Sequence, residues 1–330
     1  MNQGLHRLAV TATTVAFCVI ILGAFVRLSH AGLGCPDWPG CYGHVTWPDA
    51  ASEIASANAT FPDRPVESHK AWKEMVHRYL AGVLVLLVFA INYLAWKPSS
   101  QRSGHRFLAG LILALILFQA ALGMWTVTLK LLPIVVMGHL LGGFATFGLL
   151  LWLSMRSRIQ GYYQLSMSMR KVRPWIIIGL AVLMVQIMLG GWTSANYSAL
   201  ACPDLPVCQG TFWPRADFIQ GFAITREIGV DYEGGVLDLA ARVAIHITHR
   251  IGAVITLLVL ALVAVRLMRN TVMPRSGAVL LILILVQFSL GILNIVLVLP
   301  LPNAVAHNGV AVLLLAQMIW LLHRSTPQRT

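Results

Sequence analysis

The sequence predicts an all-α polytopic membrane protein whose eight transmembrane helices form two tandem four-helix bundles related by a pseudo-twofold axis along the membrane normal. Three observations carry this. Hydrophobic residues make up 58% of the 330 and charged residues 11%, too few charges to coat a water-soluble globule. The hydrophobic residues fall in eight runs of spanning length. A set of residues also recurs at a nearly constant offset: Cys202 and Cys208 stand 167 positions after Cys35 and Cys41, and Gln287, Gly291 and His307 stand 168 after Gln119, Gly123 and His139. An offset held through loops and helices alike marks a duplication. Four spans per copy is an even number, so both copies enter the membrane in the same orientation. The halves are expected at residues 1–160 and 161–330.

In chain order, the runs are Leu8 to Val26, Val76 to Trp96, Phe107 to Leu129, Leu131 to Met155, Trp175 to Thr193, Val243 to Val265, Ala278 to Leu299 and Ala304 to Leu322. The first is too long for the apolar core of a signal peptide and is expected to be retained. Cys18 within it reads as a small apolar packing residue. The stretch from Arg27 to Cys41 is rich in Gly and Pro, which predicts a compact turn-rich loop. Its counterpart is Ala199 to Cys208. The outer segments Tyr42 to Lys73 and Gln209 to Ala241 are long and polar, with room for short interfacial helices. The basic stretch Arg156 to Arg173 is the natural join between the halves.

The net charge of +12 is a topology signal. Fourteen of the 24 Lys and Arg residues fall in the segments placed inside, and all twelve acids fall on the other side. The basic bias predicts both termini cytoplasmic and the cysteine loops outward; the expected location is a bacterial-type inner membrane. No helix carries a basic stripe, so nucleic acid is not an expected partner; the lipid bilayer is.

Of eleven histidines, His77, His139, His249 and His307 recur as pairs at the outward ends of even-numbered spans, at one level of the membrane. Each half supplies one from its second helix and one from its fourth, so a bundle can aim two imidazoles at a shared centre. That suits axial ligation of haem iron; the plainer alternative is an interfacial histidine bonded to a backbone carbonyl. Di-iron sites need carboxylates from several helices, and Glu74 is the acid associated with a span here. The separations between the two sets keep each histidine pair in its own bundle, which disfavours a shared copper site. Arg78 and Arg250 directly follow His77 and His249, placed either to meet haem propionates or to snorkel at the interface. Gly82, Gly138, Gly142, Gly143 and Gly309 let a flat ring approach the backbone or serve helix packing.

Each cysteine pair, Cys35 with Cys41 and Cys202 with Cys208, sits in one outward loop with prolines between, where a disulfide persists. A structural bridge bracing a lid over each site is the expectation, with a redox-active dithiol as the alternative. Glu74 lies three residues before His77, on the same helix face, and His246 stands in its place in the second half. Glu74 is thus either a catalytic acid or a helix-start acid set against the dipole. A transporter with parallel repeats would need broken helices and polar groups at mid-membrane; Asn92 is the main such residue.

The segment Gly23-Ala24-Phe25-Val26-Arg27, the segment Gly34-Cys35-Pro36-Asp37-Trp38-Pro39-Gly40-Cys41, the pentad Glu74-Met75-Val76-His77-Arg78 and the repeated histidines together resemble the haem A synthase family of cytochrome oxidase assembly. The resemblance covers essentially the whole chain. It implies oxidation of the C8 methyl of haem O to a formyl group by successive hydroxylation and loss of water. It further implies that His77 and His139 hold the substrate haem O, that His249 and His307 ligate a resident haem b, and that Glu74 is catalytic. Expected partners are a haem O synthase and an electron-transfer protein. The rival reading is a two-haem b membrane cytochrome, ligated by the same histidines, that only passes electrons from a quinol.

Overall fold

A computed structural model describes residues 3–97, 103–157, 167–269 and 273–326. The described residues form ten helices and no strand. These are α1 (Gln3–Leu28), α2 (Ala51–Thr60), α3 (Ser68–Trp96), α4 (Ser103–Thr128), α5 (Pro133–Ser157), α6 (Met167–Ala195), α7 (Phe218–Gly221), α8 (Leu239–Met268), α9 (Pro274–Val296) and α10 (Leu301–Arg324). All except α2 and α7 are long and apolar enough to cross a membrane, which makes eight among the described residues. The chain is a multi-pass helical membrane protein. In such a setting the helix is the favoured form, because every backbone polar group is satisfied within it.

Packing follows the repeat. In the first half α1 packs on α3 and α5, and α4 packs on α3 and α5, while α3 and α5 stand diagonally opposed without direct packing. In the second half α6 packs on α8 and α10, and α9 packs on the same two. The halves meet through α5 with α6, α1 with α10, and α5 with α10. Small residues allow close approach there: a Cβ on Gly148 would come within 2.9 Å of Ile319, and one on Gly309 within 2.9 Å of Ile21. Buried Asn92 donates to the Val88 and Ala109 carbonyls, each at 3.0 Å, tying α3 to α4. Its polarity is consumed in helix packing.

The ends of equivalent helices are built alike. α1 stops with His30 at φ 52° and α6 with Tyr197 at φ 52°. In each, the next N–H reaches back five residues, Ala31 to Val26 at 2.9 Å and Ser198 to Thr193 at 3.0 Å, which is how a left-handed residue closes a helix and satisfies its last carbonyls. The turns after α4 and α9 repeat this with Leu131 to Thr126 at 2.8 Å and Leu299 to Asn294 at 2.7 Å.

Three expectations are adjusted. Helix α3 begins at Ser68, well before the apolar run at Val76, because its first turns are polar and lie under the outer loop. Helix α5 runs to Ser157 and helix α6 begins at Met167, so Arg156, Arg170, Lys171 and Arg173 belong to helices; residues 158–166 of the expected join, with Arg158 and the 160/161 boundary, lie outside the described residues. Cys18 sits on the exposed face of α1 and so packs toward lipid. Of the interfacial helices anticipated in the outer loops, α2 and α7 are the ones that form.

Candidate functional site

Each cysteine loop is a short bridged turn locked from beneath. Disulfides join Cys35 to Cys41 and Cys202 to Cys208. Inside the first loop, Asp37 accepts from the Tyr42 and Gly43 N–H groups at 2.6 and 2.7 Å. Inside the second, Asp204 accepts from those of Gln209 and Gly210 at 2.7 and 2.6 Å, and these bonds hold its carboxyl below the usual carboxylate range. The accepting carboxylate stabilises the left-handed pair that follows each second cysteine, φ 55° and 77° in one loop and 54° and 74° in the other.

Below the first loop, Glu74 is only 4% exposed. Its Oε2 accepts the Cys35 N–H at 3.0 Å and its Oε1 meets Arg78 Nη2 at 2.5 Å. Arg78 Nη1 also donates to the carbonyls of Asp37, Pro39 and Gly40. In the second half His246 Nδ1 accepts the Cys202 N–H at 3.1 Å, Arg250 lies 3.3 Å from His246 Nε2, and Arg250 donates to the Val207 and Cys202 carbonyls. The scaffold role of the acid is therefore shared by an imidazole. Glu74 stands in the second turn of α3, beyond the reach of the dipole, which fades within the first turn. That removes the helix-start account of the residue.

His77 on α3 and His139 on α5 come from the diagonally opposed helices. Their ring centroids lie 6.5 Å apart with planes at 82°, and both line one cavity of about 830 Å³. A metal–imidazole bond of about 2 Å on either side, plus the step from nitrogen to ring centre, puts roughly 6 Å between the centroids of two axial ligands. The spacing thus fits one iron between the two rings, and the cavity lies in the size range of cofactor sites. Apolar side chains such as Ile20, Leu84, Ile116 and Phe144 line its walls, and Glu74 is the carboxylate among its lining residues. Gly82 also lines it, on the exposed face of α3, with no atom within 4 Å of where a Cβ would be; the cavity opens there. Among the described residues, no three His, Cys, Asp or Glu side chains gather to hold a lone metal ion.

All four histidines share a feature that sequence reasoning missed. Each imidazole rests on a glycine of a neighbouring helix, so that an added Cβ would meet its Cε1: Gly23 at 2.9 Å from His77, Gly123 at 3.3 Å from His139, Gly190 at 3.2 Å from His249 and Gly291 at 3.3 Å from His307. Gly23 and Gly190 are 167 apart, Gly123 and Gly291 168 apart, so the repeat offset carried the signal. Of the glycines singled out from sequence, Gly82 and Gly143 line the cavity, Gly309 serves helix packing against Ile21, and Gly142 makes room for the Gln119 side chain. One turn before three of the four glycines stands a glutamine. The Gln186 amide lies 3.1 Å from His249 Nδ1 and that of Gln287 3.3 Å from His307 Nε2. Val19 takes that position beside His77. The imidazoles of His77, His139 and His307 also meet the backbone at Val19, Gln119 and Gln287, one turn before their glycines, so backbone and packing together position the rings.

These contacts predict a graded response. Gly190→Ala or Gly291→Ala should shift the absorption bands of a haem held by His249 and His307, whereas Gly23→Ala should leave those bands unchanged and weaken ligand uptake beside His77. Absorption spectra of the purified variants check this, and equal effects from all of them would refute it.

Fold and site together define a polytopic helical membrane protein with two pairs of histidines, each pair borne on opposed helices and seated on glycines. The chain belongs to the COX15-CtaA family, whose model, described as cytochrome oxidase assembly protein, matches residues 6–319. Over 313 residues it is 49% identical to the heme A synthase of Shewanella oneidensis, covering 93% of this chain and 94% of the relative. It is 26% identical over 330 residues to the heme A synthase of Rhizorhabdus wittichii, covering 94% and 90%. With that of Shouchella clausii it shares 28% over 219 residues, covering 65% and 67%.

Proposed function

We propose that the chain is a haem A synthase, an oxidoreductase that converts the C8 methyl of haem O to a formyl group by successive hydroxylation and loss of water. The observation that carries this is the cavity between α3 and α5, where two imidazoles at iron-bridging distance share their walls with one carboxylate. The 49% identity to a heme A synthase along nearly the whole chain supports the same reading.

In this account His77 and His139 hold haem O, and His249 and His307 hold a resident haem b. Bound there, haem b supplies one-electron redox chemistry. The apolar walls exclude water from the first cavity. Glu74 holds a proton or a negative charge at Oε1, shared with Arg78 Nη2, at the cavity wall. Arg78 and Arg250 add positive potential at the outer rim for propionates while bracing the cysteine loops.

The two halves, 1–160 and 161–330, form two bundles about a pseudo-twofold axis. Exchanging α1 with α6, α3 with α8, α4 with α9 and α5 with α10 turns the contact of α5 with α6 into that of α10 with α1, and returns the contact of α5 with α10 to itself, in keeping with the packing observed. Two disulfides suit loops on the outward, oxidising side, with both termini cytoplasmic. A haem O synthase would deliver the substrate, and an electron-transfer partner would exchange electrons with the enzyme.

Incubation of the purified protein with haem O and an electron acceptor, followed by chromatography of extracted haems, tests the proposal. Haem A should accumulate. Its absence from protein that retains a reducible haem b would favour a purely electron-transferring cytochrome.

A further inference from the structure

Two guanidinium groups line the first cavity, Arg27 and Arg78. Arg78 is paired with Glu74 and tied to three loop carbonyls. Arg27, in the last turn of α1, has no carboxylate within ion-pair distance among the described residues. Its Nη2 donates to the Ser194 carbonyl at 2.6 Å, its guanidinium lies 4.0 Å from the centre of the Tyr197 ring, and its Nε is buried without a partner. Tyr197 is in turn stacked on His30, centroids 5.7 Å apart and planes at 16°.

Ser194 and Tyr197 belong to the second half, at the positions equivalent to Arg27 and His30. The cation is thus placed by its own repeat partners, where the halves meet. A favourable position near the negative end of the α1 dipole and a cation–π contact account for a charge at this spot. Neither accounts for a buried, unused Nε on a group lining an apolar cavity, since a partly desolvated donor without an acceptor is costly.

We infer that Arg27 binds a carboxylate of the cavity's ligand, which on the function proposed above is a propionate of the substrate haem, and that Tyr197 of the other half holds Arg27 in place. Guanidinium and carboxylate suit each other in shape and charge. Ser194, equivalent to Arg27, brings no cation to the second half, so this particular contact is confined to the first.

The test is a spectral titration of the purified full-length protein, resident haem included, with haem O and with haem O dimethyl ester, whose propionates carry no charge. The wild type should bind the ester roughly ten- to a hundredfold more weakly, the worth of a hydrogen bond to a charged group. Arg27→Gln should remove most of that difference, leaving only the rim contribution of Arg78, and leave binding of the ester unchanged, while Arg27→Lys should restore part of the difference. Tyr197→Phe should keep the discrimination, because the ring makes the contact; Tyr197→Leu should reduce it. Discrimination that survives largely intact in Arg27→Gln, or is missing from the wild type, overturns the inference while leaving the haem site standing. Uptake that is indifferent to His77→Ala overturns the reading of the cavity itself, and this inference with it.

Discussion

Alanine at His249 or His307 should strip the protein of its resident haem b nearly completely, while alanine at His77 or His139 should leave that haem in place and abolish conversion of haem O. The expectation follows from the diagonal placement of each pair: one iron needs both rings, and no third His, Cys, Asp or Glu gathers beside either pair among the described residues to stand in. The glycines under His249 and His307 offer no side chain that could take the place of a lost imidazole. Haem content per protein by pyridine haemochrome, with haem A formation measured on the same samples, separates the two sets. Equal haem loss from both sets would refute the division of labour between the halves.

Glu74→Gln should lower haem A formation by about a hundredfold or more, the usual worth of a positioned proton-transfer group, or stall it at the hydroxylated intermediate, with haem b retained. Removing one partner of a buried pair is itself destabilising, by about 3–5 kcal/mol where a charge is left uncompensated, so a loss of activity needs a control for folding. The second half provides one. His246 accepts the Cys202 N–H and meets Arg250 as Glu74 does Cys35 and Arg78, so Glu74→His should keep the loop braced. A Glu74→His protein with normal haem b, an intact Cys35–Cys41 bridge and no haem A would assign Glu74 to the chemistry. Normal haem A output from either variant would return it to the scaffold.

Much of this is legible in the residues alone. Spans show themselves because lipid demands uninterrupted apolar runs, and the duplication shows itself because loops and helices kept one offset. The contrast of Glu74 with His246 was legible for the same reason. What sequence distance hides is contact across helices. Gly82 and Gly138 are neighbours of the histidines along the chain, yet the rings rest on Gly23, Gly123, Gly190 and Gly291, each on another helix. Arg78 and Arg250 read as rim cations, but where loop carbonyls point depends on backbone turns that no residue pattern specifies. Arg27 was visible only as one letter of a motif, because its isolation from carboxylates is a property of the folded interface between halves.

The opening at Gly82 bears on how a substrate would come and go. It lies on the flank of a spanning helix, beside the exposed side chains of Tyr79 and Val83, and so faces acyl chains where a water-soluble enzyme would face solvent. A prenylated porphyrin partitions into that medium, and its encounter with the protein becomes a search in two dimensions, governed by moles of ligand per mole of lipid. Diluting the membranes in buffer would then leave the rate unchanged, while adding lipid at constant substrate would slow it.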